Sequence, residues 1–214
     1  MIRVLAISDE ALDQGYRNGF AALEPDVIVA CGDLPNDYLD HVMSSLSIPM
    51  VWVPGNHDVE SRLPQRDAVD ALMNPPEKGP GGGIPADGHI VEVAGLRIAG
   101  LGGAPRYNRG PHQYTESQMR RRVRRLELKA RWAAFRGRPI DVMITHSPPL
   151  GLGDGDDPAH RGFASFKRLI EVIRPRFFVH GHVHPYGPRP PDLIIGTTTI
   201  VNAVGYRLLE VPGR

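Results

Sequence analysis

The sequence predicts an α/β protein with mainly parallel strands, on three observations. Short apolar runs recur along the chain, and each stops at turn-forming residues such as Ser8-Asp9, Gly32-Asp33 and Gly55-Asn56. The runs are continuous rather than alternating, which suits strands buried on both faces. Segments with helical spacing lie between them, and strand alternating with helix is the signature of a parallel α/β sheet.

Taken in order, "IRVLAIS" reads as the first strand. "YRNGFAAL" has helical spacing before Pro25, and "DVIVAC" is the second strand. "DYLDHVMSSL" puts Leu39, Val42, Met43 and Leu46 on one helix face before Pro49, and "MVWVP" is the third strand. "NPPEKGPGGGIPADG" is a Pro/Gly surface loop, after which "HIVEVAGLRIAGLGG" reads as two strands joined at Gly95. Thr115 opens a long helix with the capping-box spacing Thr115-x-x-Gln118 and the apolar stripe Met119, Val123, Leu126, Ala130, Ala133. "PIDVMIT" and "RFFVH" are further strands, separated by a helix carrying Phe166, Leu169, Ile170 and Ile173 that stops before Pro175. "DLIIGTTTIVNAVGYRLLEV" reads as successive strands around Gly196 and Gly205.

The totals set bounds. A length of 214 residues suits a single domain over 1–214, able to bury roughly 70% of its unfolded surface without disulfide staples. Lys plus Arg is 25 against 24 for Asp plus Glu, so any affinity for polyanions must come from local clustering. The single cysteine, Cys31, excludes an internal disulfide framework and fits a reducing compartment. "MIRVLAIS" reads as a strand rather than a secretory leader, and no apolar run reaches the ~18 residues of a membrane span. The expectation is a cytoplasmic protein without a membrane partner.

The chemistry lies where the strands stop. Asp9, Asp33, Asn56, His146, His182 and His184 all sit at or just beyond predicted C-terminal strand ends, the edge where open α/β sheets bind ligands. Singly, Asp9, Asp33 and Asn56 are ordinary turn residues, and His146 is an ordinary hydrogen-bonded core histidine. "GHVH" sets two imidazoles at i and i+2 on one face of an extended segment, and "GNHD" concentrates polarity directly after "MVWVP". Jointly, carboxylate, amide and imidazole donors suit divalent Mn, Fe, Zn or Mg.

The ordered set Asp9, Gly32-Asp33, Gly55-Asn56-His57-Asp58, Thr145-His146 and Gly181-His182-Val183-His184 resembles the calcineurin-like metallophosphoesterase family. That family's pattern is D-x-H, GD, GNH followed by an acid, an isolated His, and GHxH. The resemblance implies a four-layer α/β/β/α sandwich with two mixed β-sheets, and two divalent ions bridged by Asp33. One ion would take Asp33, Asn56, His146 and His182. The other would take Asp9, Asp33 and His184, with the D-x-H histidine. It implies water activated between the ions for in-line attack on phosphorus, His57 as general acid or donor at the leaving oxygen, and Asp58 orienting that imidazole. The chain departs from the pattern at Ala11, which stands where the D-x-H histidine belongs and cannot ligate. Water could fill the gap and leave a weaker site, Glu10 could swing in, or one ion alone could bind. The weakened but occupied site is the expectation.

Arg106 and Tyr107, in "GGAPRYNRGPHQYTE", and His160, in "DGDDPAHRGF", are candidate substrate contacts, since guanidinium groups suit phosphate and rings suit a base or aryl group. Both stretches also read as plain surface loops. "MRRRVRRLELKAR" places Arg120, Arg121, Arg122, Arg124 and Arg125 off the apolar stripe. Such a face can track nucleic-acid phosphates, but more often it is a solvated helix surface, and no base-reading motif accompanies it. The leading expectation is a phosphoesterase acting on a small phosphomonoester or phosphodiester, with nucleotides and cyclic nucleotides among the plausible substrates. The alternatives are a catalytically weak metal- or nucleotide-binding regulatory protein and a nucleic-acid-associated nuclease. The sequence leaves the oligomeric state open.

Overall fold

The structure, a computed structural model, describes residues 1–58 and 79–213. The first half runs β1 (Ile2–Ser8), α1 (Asp13–Tyr16), β2 (Val27–Ala30), α2 (Asn36–Leu46), β3 (Met50–Trp52) and β4 (Ile84–Pro85). There follow β5 (Ile90–Val93), β6 (Leu96–Leu101), β7 (Ala104–Pro105), β8 (Gln113–Tyr114) and α3 (Glu116–Phe135). The last third contains β9 (Val142–Thr145), α4 (Ala164–Ile173), β10 (Phe177–His180), β11 (Leu193–Ile195), β12 (Thr198–Asn202) and β13 (Gly205–Val211).

Two mixed sheets result. The first has the order β13-β1-β2-β3-β4, parallel throughout except for β13, which pairs antiparallel with β1. The second has the order β11-β12-β10-β9-β6-β5, with β12, β10, β9 and β6 parallel and an antiparallel strand at each edge. β7 and β8 form a small parallel pair of their own.

Alternation along the strands divides the apolar residues among three clusters. Val4, Ala6, Val29 and Val51 of the first sheet meet Ile98, Val142, Ile144 and Val179 of the second. The opposite face of the first sheet, with Leu5, Ile7 and Ile28, packs on Tyr38, Leu39 and Val42 of α2. The opposite face of the second, with Ala99, Met143 and Phe178, packs on α3 and α4. Three apolar interfaces stack four layers, the expected α/β/β/α arrangement. β1, β2 and β9 are buried on both faces, as their unbroken runs required.

Besides the β7–β8 pair, which lies in a stretch read as a loop, sequence and structure part in two places. The helical segment expected over "YRNGFAAL" is not one helix: α1 ends at Tyr16, the chain turns through Asn18 at φ 55°, and a single 3-10 turn covers Ala21–Leu23. Gly19 costs about 1 kcal/mol inside a helix, and burial of Phe20 in the core draws the chain aside. In the Pro/Gly loop, residues 74–78 lie outside the described residues. Beyond them Ile84 and Pro85 add an unforeseen strand beside β3.

Helix ends show how the two helices of one outer layer are joined. α3 begins with the expected capping box, the Thr115 side chain accepting from the Gln118 amide while Gln118 reaches back to the Thr115 amide. α4 has no side-chain cap of its own. Glu116, in the first turn of α3, supplies one from across the interface: its carboxylate accepts from the Ala164 and Ser165 amides at 3.1 and 2.9 Å. This satisfies two of the orphan donors at the start of α4 and sets a negative charge at the positive end of its dipole. Glu116→Ala is expected to lower stability by about 1–2 kcal/mol, read by urea denaturation, with Glu116→Gln intermediate.

Candidate metal centre

The parallel strands of the two sheets end together. β1, β2 and β3 deliver Asp9, Asp33 and Asn56, and β9 and β10 deliver His146, His182 and His184 to the same edge. The turns there are tight. Asp9, Asp33 and His182 have φ of 62°, 57° and 68°, a left-handed backbone that costs about 1–2 kcal/mol per non-glycine residue. Hydrogen bonds hold it in place, as the individual residues show.

Each of these side chains uses one polar atom on the scaffold and turns another inward. Asp9 Oδ2 accepts from the Ser8 hydroxyl at 2.5 Å and the His182 amide at 2.9 Å, leaving Oδ1 facing His184 Nε2 at 3.8 Å. Asp33 Oδ1 accepts from the His57 amide at 2.8 Å, leaving Oδ2 3.3 Å from His146 Nε2. Asn56, buried, donates through Nδ2 to the Tyr107 hydroxyl at 3.1 Å and aims Oδ1 at His146 Nε2, 2.9 Å away. His146 lies with Nδ1 2.7 Å from the Cys31 carbonyl, and His182 with Nε2 2.7 Å from the Ala159 carbonyl. A ring nitrogen facing a carbonyl carries the hydrogen, so His182 Nδ1 is left as a lone pair, and His146 Nε2 becomes one when that ring gives up its second proton. Two glycines make room: a Cβ at Gly55 would strike the Asp33 carboxylate, and one at Gly181 would strike Asp9 and Ser8.

Asp33, His146 and His182 each offer a ligand atom within 4.8 Å of the others. Together with Asn56 Oδ1 they make the mixed oxygen and nitrogen set that suits a divalent cation. The electrostatics agree. Burial alone would raise the Asp33 carboxyl and depress His146. Their mutual hydrogen bond and opposite charges outweigh it, holding Asp33 below the usual range and pushing His146 up to about 9. The carboxylate thus draws a positive charge to the spot where a cation would sit. Burial, followed by the nearby His146 charge, brings His182 down to about 3, the neutral state a ligand needs.

The Asp9 side is thinner. His184 is half exposed, and Ala11 offers no ligand atom. Glu10 lies behind His184 rather than in the gap: its Oε1 is 3.2 Å from Nδ1, on the far side of the ring from Asp9. It fixes the ring so that Nε2 faces inward, the usual work of a carboxylate behind a ligating histidine.

The remaining predicted residues are placed as follows. His57 is exposed at the rim. Asp58 does not brace the His57 ring as expected; its Oδ2 accepts from the Gly55 amide at 2.7 Å and the Asp33 amide at 3.1 Å, holding the turn that carries Asn56. Burial raises the Asp58 carboxyl, against the pull of those amides. Tyr107 holds Asn56. The Arg106 guanidinium reaches the Gln113 carbonyl and Gln118 Oε1. His160 pairs with Asp157 at 2.8 Å, its ring 5.4 Å from that of His182. Sequence reasoning missed Ser8 and the Ala159 carbonyl. Ser8 could have been suspected from its place beside Asp9 in the first strand end, whereas a carbonyl contributed by a loop leaves no trace in side-chain identity.

The calcineurin-like phosphoesterase family model matches residues 5–186. Among curated proteins, the chain is 25% identical over 190 residues to UPF0046 protein T07D4.2 of Caenorhabditis elegans, covering 74% of this chain and 46% of that protein. It is 36% identical over 81 residues to the human Metallophosphoesterase domain-containing protein 1, covering 34% of this chain and 24% of that one. The chain thus spans less than half the length of these relatives. One solved structure superimposes with a TM-score of 0.63 at 19% identity, covering 97% of this chain and 94% of the other, a likeness of fold. With that match running from β1 past His184, the chain belongs to the calcineurin-like phosphoesterase family.

Proposed function

We propose that this chain is a divalent-metal-dependent phosphoesterase that hydrolyses small phosphate mono- or diesters, nucleotide-like ones among them, in the cytoplasm. The observation that carries the proposal is the convergence of Asp33 Oδ2, Asn56 Oδ1, His146 Nε2 and His182, each braced from behind. These four would hold one ion, Mn, Fe, Zn or Mg. Asp9, Asp33 and His184 would hold a second, weaker one, because Ala11 contributes nothing. When bound, such ions supply Lewis acidity that activates water and clamps phosphoryl oxygens.

The chain's own residues do the rest. Asp33 sets the spacing between the two halves, with its Oδ1 locked on the His57 amide. The same hydrogen bond ties the His57 backbone to the site, and its exposed ring would donate to the leaving oxygen. Asp58 acts through the backbone of the Gly55 turn, and Tyr107 through the Asn56 amide. The rim is open, with His57 and His184 exposed and His160 half-buried, which suits a small or exposed ester. Ala11 also favours a second reading, a metal- or nucleotide-binding regulator with little turnover.

Aryl phosphomonoester and phosphodiester substrates with Mn or Mg separate the readings: the proposal expects hydrolysis of at least one, and Asp33→Asn to lower it about 100-fold or more. Undiminished turnover in Asp33→Asn would remove Asp33 from the centre. Ala11→His is expected to tighten one ion roughly tenfold in calorimetric titrations and leave the other unchanged. In metal-free protein the His146 pKa, raised from 6.5 to about 9, contributes stability that is complete below 6.5 and lost as pH rises toward 9. The metal-free thermal midpoint is therefore expected to fall over that window, and Mn binding within it to release a proton, read by calorimetry in buffers of different ionisation enthalpy.

A further inference from the structure

The outer face of α3 has a character that phosphoester chemistry does not use. Its inner stripe, from Met119 to Ala133, is buried against the second sheet. On the opposite side Leu128, Trp132 and Phe135 follow one another at i, i+4 and i+7, exposed by 70%, 60% and 84%. Trp132 and Phe135 stack with ring centroids 6.3 Å apart, and the Arg136 guanidinium lies over the Trp132 ring at 4.8 Å.

Arginines surround this line. Arg121, Arg124, Arg125 and Arg131 are all exposed, and among the described residues none of them pairs with a carboxylate. No acid on the helix offsets them at that face. Glu127 is turned inward and paired with Arg168 of α4 at 3.2 Å, and Glu116 caps α4. The result is a helix with two apolar stripes, one in the core and one in a positively charged surround.

We propose that this face lays α3 flat on an anionic lipid surface, with Leu128, Trp132 and Phe135 at the acyl boundary and the arginines among the head groups. A Trp/Phe/Leu line flanked by cations on a helix parallel to the surface is the chemistry of interfacial membrane binding. A second copy of the chain fits less well, since it would bring arginines against arginines with no acid between them. Nucleic acid fits less well too. The Trp132 face that a base would stack on is taken by Arg136, and Leu128 has no role against phosphate or base.

Trp132 reports on its own face. The other tryptophan of the chain, Trp52, packs against the cluster between α2 and the first sheet. The full chain is titrated with phosphatidylcholine vesicles, with phosphatidylcholine/phosphatidylglycerol vesicles and with a single-stranded oligonucleotide, following tryptophan emission and co-sedimentation. The expected result is a blue shift and co-sedimentation with the anionic vesicles alone, weakened by salt. Leu128→Ser/Phe135→Ser is expected to weaken vesicle binding about tenfold or more with its thermal midpoint unchanged, because both side chains are exposed in the folded state. Trp132→Phe should keep the binding and lose the shift. Absence of binding to anionic vesicles, or equal binding by the double variant, overturns the proposal. Oligonucleotide binding lost in the double variant would assign the face to nucleic acid instead, and a dimer dissolved by that variant would assign it to self-association.

Discussion

His146 leaves the second sheet and commits both ring nitrogens to the first. Nδ1 faces the carbonyl of Cys31 at the end of β2, and Nε2 faces Asn56 and Asp33, which follow β3 and β2. The ring is wholly buried, so these contacts act in a low-dielectric setting where an unmatched nitrogen would be costly. The two sheets are therefore locked at their C-terminal ends, and the positions of the other candidate ligands follow from that alignment. Cys31 shares the same burial, which pushes its thiol up and leaves it protonated, so it contributes packing and a carbonyl rather than reactivity.

Around that lock the scaffold is arranged to hold atoms that would otherwise repel or relax. Three left-handed turns, at Asp9, Asp33 and His182, are tied by backbone amides donated to carboxylates. The bracing is reciprocal: the His182 amide holds Asp9, and the His57 amide holds Asp33, so each segment orients a ligand candidate from another. The asymmetry between the two halves has a plain cause. Asn56, His146 and His182 are buried and Asp33 is nearly so, each held by the scaffold through one polar atom, whereas His184 is half exposed and rests on the solvent-facing carboxylate of Glu10.

Much of this could be read from residue order. Strands β1, β2, β3, β9 and β10 are marked by continuous apolar runs because both of their faces are buried, and α3 by its capping box and stripe. "YRNGFAAL" misled because its spacing fits a helix, while Asn18-Gly19 and the burial of Phe20 favour a turn. Asp58 misled for a similar reason: its neighbour in sequence is His57, but its partners are amides that the fold brings to it.

By itself the sequence determined the α/β class, the six polar residues at strand ends and the gap at Ala11, because these depend on side-chain identity and local periodicity. Only the tertiary structure decided which nitrogen of His146 and His182 rests on a backbone carbonyl, that Tyr107 steadies Asn56, that Glu10 stands behind His184 instead of beside Asp9, and that Glu116 caps a helix 48 residues away. Those are contacts across large separations in the chain, set by how two sheets stack, and nothing in the local pattern of residues encodes the distance between them.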